Sequence, residues 1–162
     1  MKNLAISYFS SDLSYIYRSP IVKARLTGYY TLMEDATEIS FFYADGIGGQ
    51  GRDLSTAFVQ EVLTDIDKRH IGAELGIEAQ VTPTIKLKGA AAFGQYTYDN
   101  NPDLMLTSDD FDEPIDLGKS YLKDYKIAGG PQQAYQIGFE YRDPDYWWVG
   151  ATSNFFSNAY VD

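Results

Sequence analysis

Few side chains in this sequence could carry out covalent chemistry. His70 is the only histidine, so a Ser-His-Asp relay or a histidine-built metal site would have to pass through it. It follows Lys68 and Arg69, and no GxSxG elbow accompanies it, so a wet position at a strand end is the plainer reading. The absence of cysteine removes thiolate nucleophiles, thiolate metal sites and disulfides together. Asp109, Asp110, Asp112, Glu113 and Asp116 form the densest acidic cluster. A hard cation needs several oxygens converging on one point, yet this spacing lacks the glycine and the closing glutamate of an EF-hand loop, which leaves a solvated loop. GIGGQG, residues 46–51, has the composition of a phosphate loop. It lacks the Lys-Ser/Thr that would follow, and no helical period surrounds it to aim backbone amides at a phosphate. No nucleophile, base and orienting group can be assembled, so the expectation is a protein that is not an enzyme, with no metal and no cofactor.

What remains is chemistry of contact. Tyr96 and Tyr98 share the polar side of one alternating segment, and His70 lies on the polar side of another. His70, Tyr96 and Tyr98 are therefore the candidate substrate-binding residues, although aromatic and polar groups at the mouth of a barrel need no ligand to explain them. Lys23, Arg25, Lys86 and Lys88 fall on the polar sides of two segments near predicted tight turns. There they could meet acids of another domain, or simply line a hydrated wall.

The segments that position these residues share one period. In HIGAELGIEAQV, residues 70–81, the odd positions Ile71, Ala73, Leu75, Ile77, Ala79 and Val81 are apolar and the even ones are small or polar. Successive side chains of a strand point to opposite faces, so this is a ribbon with one greasy side. The same alternation runs through residues 21–32, 84–98, 135–142 and 146–160, and less cleanly through residues 4–17. Aromatics at 15% with 14 Tyr and 14 Gly suit antiparallel strands better than helices. A net charge of −10 argues against a nucleic-acid partner, because phosphate binding needs clustered Lys and Arg. No run approaches the roughly 20 apolar residues of a spanning helix, and the N-terminal stretch does not read as a signal peptide.

Connections alternate in length. RSP at residues 18–20, VTPT at 81–84 and RDPD at 142–145 read as tight turns. Residues 35–68 and 99–133 read as long loops, the first glycine-rich and the second acidic. Two-faced strands of about ten residues, with short turns at one end and long loops at the other, predict an outer-membrane β-barrel. The greasy side would meet lipid and the polar side a lumen. Closure would satisfy every backbone group in hydrocarbon. Small apolar residues (Ala24, Ala73, Ala79, Ala91, Ala151) and aromatics near strand ends (Tyr15, Tyr17, Tyr96, Tyr98, Trp147) favour this over a soluble antiparallel barrel or sandwich. Two alternatives stay open. One is a self-contained small barrel of about eight strands acting as a binding or structural protein. The other is a soluble binding module, which would bury Val22, Leu75, Leu87 and Val149 in a core.

DKRHIGAELGIEAQVTPTIKLKGAAAFGQYTYDN, residues 67–100, resembles paired barrel strands of TonB-dependent outer-membrane receptors, with a Gly-x-Glu-Leu strand, a proline-marked periplasmic turn and a Leu-x-Leu strand ending in Tyr-x-Tyr. GGPQQAYQIGFEYRDPDYWWVGATSNFFSNAYVD, residues 129–162, is similar to late barrel strands of the Bacteroidetes-type members, and GKSYLKDYKIAGGPQQA to one of their extracellular loops. The resemblance covers most of the chain, from about Leu13 onward. It implies an all-β fold of antiparallel transmembrane β-barrel strands, about six here, with short periplasmic turns and long extracellular loops. Family barrels have roughly 22 strands around an N-terminal plug. Residues 1–162 are accordingly expected to be a segment of one β-barrel domain, a partial barrel from the C-terminal part with no plug domain and no energy-coupling box. The implied function is import of a substrate across the cell outer membrane. The implied partners are outer-membrane lipid, the rest of the barrel and its plug, the periplasmic protein TonB, and a surface lipoprotein.

Overall fold

The computed structural model describes residues 6–46 and 57–161. Eight strands follow one another: β1 (Ser7–Arg18), β2 (Val22–Ala44), β3 (Ala57–Gln80), β4 (Ile85–Tyr98), β5 (Asp103–Thr107), β6 (Ile115–Lys119), β7 (Pro131–Arg142) and β8 (Trp148–Ala159). They form one antiparallel sheet with main path β1-β2-β3-β4-β7-β8, in which β5 pairs with β3 and β6 with β5. The fold is all-β, and among the described residues the sheet is not closed. Among the described residues β1 and β8 end its main path, and β6 ends the branch through β5.

The three tight connections form as their residue types require. Ser19 closes the first, its hydroxyl accepting from Val22 N at 2.9 Å and donating to Val22 O at 3.1 Å. At 81–84, Thr82 Oγ1 accepts from Ile85 N at 2.9 Å. At 143–147, Asp143 Oδ1 accepts from Asp145 N at 3.0 Å, while Tyr146 takes the left-handed φ of 68° that completes the reversal.

Two expectations need correction. Residues 35–68 are not a long loop, because β2 continues to Ala44 and β3 already begins at Ala57. Asp35 and Asp65 both adopt φ of 61° inside these strands. Left-handed backbone inside a strand interrupts the pleat and changes which parity faces which side. Accordingly, apolar residues sit at even positions from Val22 to Leu32 and at odd ones in Ile39, Phe41 and Tyr43, which hides the strand from a period-two reading. The segment 99–133 also contains structure: β5 pairs with β3 from Gln60↔Thr107 to Thr64↔Asp103, and β6 folds back on β5. The first strand begins at Ser7; Leu4 lies outside the described residues.

The chain divides into two compact units. Unit one comprises 1–9, 32–68 and 97–125, and unit two comprises 10–31, 69–96 and 126–162. Unit one has a small apolar core: Ala36, Ala57, Val59 and Ile66 are buried, the last two completely, beside Pro102. Asn100 braces it, its side chain accepting from Asp67 N at 3.0 Å and donating to Asp65 O at 2.7 Å. Unit one holds 16 acidic and 5 basic residues, a net of −11, and unit two 7 and 8, a net of +1. The acidity of the chain therefore belongs to unit one.

Unit two holds all three tight turns and is built the opposite way. Register pairs Leu87 with Phe139 and Phe139 with Ala151, Ala91 with Tyr135 and Tyr135 with Phe155, so one face is apolar across three strands. None of it is enclosed. Leu75 is 44% exposed, Leu87 47%, Val149 48% and Ile137 72%, and Val22 is half-buried. The buried side chains here are polar, Thr27, Thr31 and Gln132 among them. Two aromatic groups lie on the apolar face: Phe93, Tyr135 and Phe155 with centroids 5.3 and 6.0 Å apart, and Tyr141 with Trp147 at 5.3 Å near the 143–147 turn.

Candidate functional site

The polar face of unit two is the surface with the most built structure. At its centre Tyr29 on β2 lies across β3 and β4. A Cβ at Gly72 would fall 2.5 Å from Tyr29 Cζ and closer still to the Phe93 carbonyl oxygen, and one at Gly94 would fall 3.0 Å from the Tyr29 hydroxyl. Two glycines thus form the seat on which the ring rests. The Tyr29 hydroxyl hydrogen-bonds that of Tyr96 at 2.9 Å, and the Tyr96 ring packs against His70 with centroids 4.6 Å apart. Gln132, 4% exposed, anchors the same strand segment: its Oε1 accepts from Tyr96 N at 3.3 Å and its Nε2 donates to Tyr96 O at 3.1 Å.

Of the three candidate residues, His70 and Tyr96 come together in this cluster. Tyr98 does not join them. It belongs to unit one, where its hydroxyl donates to Glu38 Oε2 at 3.4 Å, its ring lies 5.6 Å from Lys68 Nζ, and Lys68 is ion-paired with Glu38. Tyr29, Gly72, Gly94 and Gln132 were missed by reading the sequence. The polar-side parity of Tyr29, Gly72 and Gly94 was visible, whereas Gln132 fell in the segment read as a loop; for all four the cross-strand neighbour that makes each one matter was not.

Of Lys23, Arg25, Lys86 and Lys88, which could meet acids of another domain or line a hydrated wall, the three lysines stand beside acids of this sheet. Glu78 takes Lys86 at 3.2 Å and Lys23 at 4.0 Å, and Glu140 takes Lys88 at 2.8 Å and Arg142 at 2.6 Å. For the three lysines a neighbouring strand supplies the counter-charge, because the polar parity of each strand faces the same side. Beside these pairs lies an open trough of about 370 Å³, floored by Gly76, Ala90, Ala92 and Ala134 and bordered by Arg25, Glu74, Gln136, Asn154 and Phe156. Gln136 Nε2 donates to Asn154 Oδ1 across the floor at 3.1 Å.

The acidic run resolves into a turn and a strand. Asp110 N donates to Ser108 Oγ at 3.2 Å and Gly118 N to Asp116 Oδ1 at 2.8 Å. Among the described residues no three His, Cys, Asp or Glu side chains are arranged to hold a metal ion. The Asp103 carboxylate of β5, hydrogen-bonded to Lys119 of β6 at 3.0 Å, raises the lysine pKa. Of GIGGQG only Gly46 is described, with φ of 81°; the rest lies outside the described residues.

Chemically, this face offers hydroxyls, amides, the rings of Tyr29, Tyr96 and His70, and paired charges around an open trough. No helix among the described residues is long and apolar enough to cross a membrane. No protein-family model, curated protein or solved structure matches this chain.

Proposed function

We propose that this chain is part of the β-barrel of a TonB-dependent outer-membrane receptor. In this reading the apolar face of unit two meets lipid, the polar face lines the lumen, and unit one belongs to the extracellular loops. The intact receptor would bind a substrate and import it across the outer membrane without altering it.

The observation that carries this is the reversed exposure of the two units. Burying a Leu or Ile side chain is worth about 1.5–3 kcal/mol, and unit one collects that gain at Val59 and Ile66 while unit two leaves Ile137 and Leu75 open. A continuous apolar face of that size on a water-exposed sheet is a liability unless something apolar covers it. Acyl chains fit its dimensions. From Ile71 to Gln80 β3 rises about 31 Å, and a tilt of about 40° brings that to about 23 Å, close to the apolar band of about 25 Å of such barrels. The aromatic pair Tyr141 and Trp147 lies beside a turn, where a ring with a polar tip suits the interface. The open edges β1 and β8 support membership of a larger sheet, since unpaired strand edges cannot stand in hydrocarbon.

The two tryptophans provide the test. Trp147 packs on Tyr141 of the apolar face, whereas Trp148 pairs with Arg142 on the polar face. In brominated-lipid vesicles, Trp148→Phe should leave a fluorophore that the lipid quenches, and Trp147→Phe one that aqueous iodide quenches instead. Equal lipid quenching of the two, or a protein that is monodisperse without detergent, would refute the membrane reading.

A further inference from the structure

Arg25, on the polar face of unit two, has surroundings unlike those of four cations near it. Lys23, Lys86, Lys88 and Arg142 each stand within 4.0 Å of Glu78 or Glu140. Among the described residues Arg25 has no carboxylate at that range. Its Nε donates to Thr27 Oγ1 at 3.1 Å and its Nη2 to Ser14 Oγ at 3.2 Å. Those hydroxyls are themselves hydrogen-bonded at 2.9 Å, and Thr27 is only 9% exposed. The guanidinium is thus held against a fixed support on two strands instead of swinging on a solvated stem, and it carries more donors than these two hydroxyls use. Arg25 also lines both concavities of this face, the trough of about 370 Å³ and an adjoining one of about 460 Å³ into which Arg18, Lys23 and Lys88 bring further positive charge.

We propose that Arg25 is an anion-binding residue and that its ligand is a carboxylate. A planar fork with free donors matches a planar carboxylate in two parallel hydrogen bonds. Glu74 borders the same trough and Glu78 the adjoining one, which limits the positive potential and favours a single negative charge over a phosphate dianion. The Gln136–Asn154 amide pair across the floor offers hydrogen bonds to the remainder of the ligand. The carboxylate can belong to a free small acid or to an acidic side chain of a polypeptide seated on the face. This inference goes beyond the transport reading and stands whether or not that reading holds, since it concerns binding alone.

The experiment is a titration of the full chain in detergent micelles, following the Nε–H resonance of Arg25. The probes are acetate, a blocked Gly-Asp-Gly peptide, its Gly-Asn-Gly counterpart and inorganic phosphate. Acetate and the aspartate peptide should each give a saturable shift and the asparagine peptide none. A tighter aspartate peptide assigns the carboxylate to a polypeptide, and equal affinity assigns it to a free acid. In Arg25→Gln, followed through the side-chain amide resonances of Gln136 and Asn154, acetate binding should weaken by about tenfold or more, with Arg25→Lys falling between. Glu74→Gln, which removes a neighbouring negative charge, should tighten it, and this variant leaves Arg25 and its support intact if Arg25→Gln does not fold. No saturable shift, phosphate binding as tightly as acetate, or affinity unchanged in Glu74→Gln and Arg25→Gln would overturn the proposal.

Discussion

Replacing Gly72 by alanine puts the seat of Tyr29 to a sharp test, because Gly76 supplies a control on the same strand and the same face. A Cβ at Gly72 lands 2.5 Å from Tyr29 Cζ and inside contact of the Phe93 backbone oxygen, whereas one at Gly76 meets nothing within 4 Å. The tyrosine can swing aside, but the Phe93 carbonyl belongs to the neighbouring strand and moves only with it. Forcing a methyl into a packed position costs about 1–3 kcal/mol. Displacing the ring also loses the Tyr29–Tyr96 hydroxyl bond of 2.9 Å, worth about 1 kcal/mol. The expected loss is therefore about 2–4 kcal/mol for Gly72→Ala. Gly76→Ala should be neutral or gain up to about 1 kcal/mol from reduced unfolded-chain entropy. Urea unfolding in micelles, followed by the fluorescence of Trp147 and Trp148, measures both. If the two variants differ by less than about 0.5 kcal/mol, Tyr29 does not rest on Gly72 and the seat plays no part in holding β2, β3 and β4 together.

Two further outcomes follow from the same geometry. Ile66, fully buried in unit one, and Ile137, 72% exposed in unit two, should respond differently to alanine: about 2–5 kcal/mol at the first and less than about 1.5 kcal/mol at the second. Equal costs in chemical denaturation would show that Ile137 has a protein core around it. The 143–147 turn should depend on pH in one direction. The Asp145 amide and the Tyr141 hydroxyl both donate to Asp143 and hold its carboxyl below the ordinary 3.8. Its contribution is thus complete above that value and is lost as the pH falls through the lower folded one. The Asp145 amide resonance should stay constant from neutral pH to about pH 5 and change only in stronger acid; a change centred near neutrality would point to another group.

Much of unit two can be read from the chain alone. Val22, Ala24 and Leu26 on β2, or Ile71 to Ala79 on β3, keep strict parity because nothing interrupts the pleat, and the prolines and Asp143 mark the turns by chemistry local to each. Unit one resisted the same reading. Its strands contain left-handed aspartates at 35 and 65, its core is four small or medium side chains scattered between residues 36 and 66, and β5 earns its place only by pairing with residues 60–64. His70 and Tyr96 were visible as polar-side residues; that they meet, and that Tyr98 does not join them, depends on which strands are neighbours and on the unit to which each belongs.

Sequence alone determined that these ribbons have an apolar side and a polar side, since period two is a property of consecutive residues and survives any arrangement of the strands. Only the tertiary structure decided that the apolar side of unit two stays open while unit one encloses its own, that Glu78 and Glu140 absorb their neighbouring lysines, and that Arg25 is left with hydroxyls for company. Each of these is a relation between residues far apart in the chain, set by hydrogen-bonded register across the sheet, which no local pattern encodes.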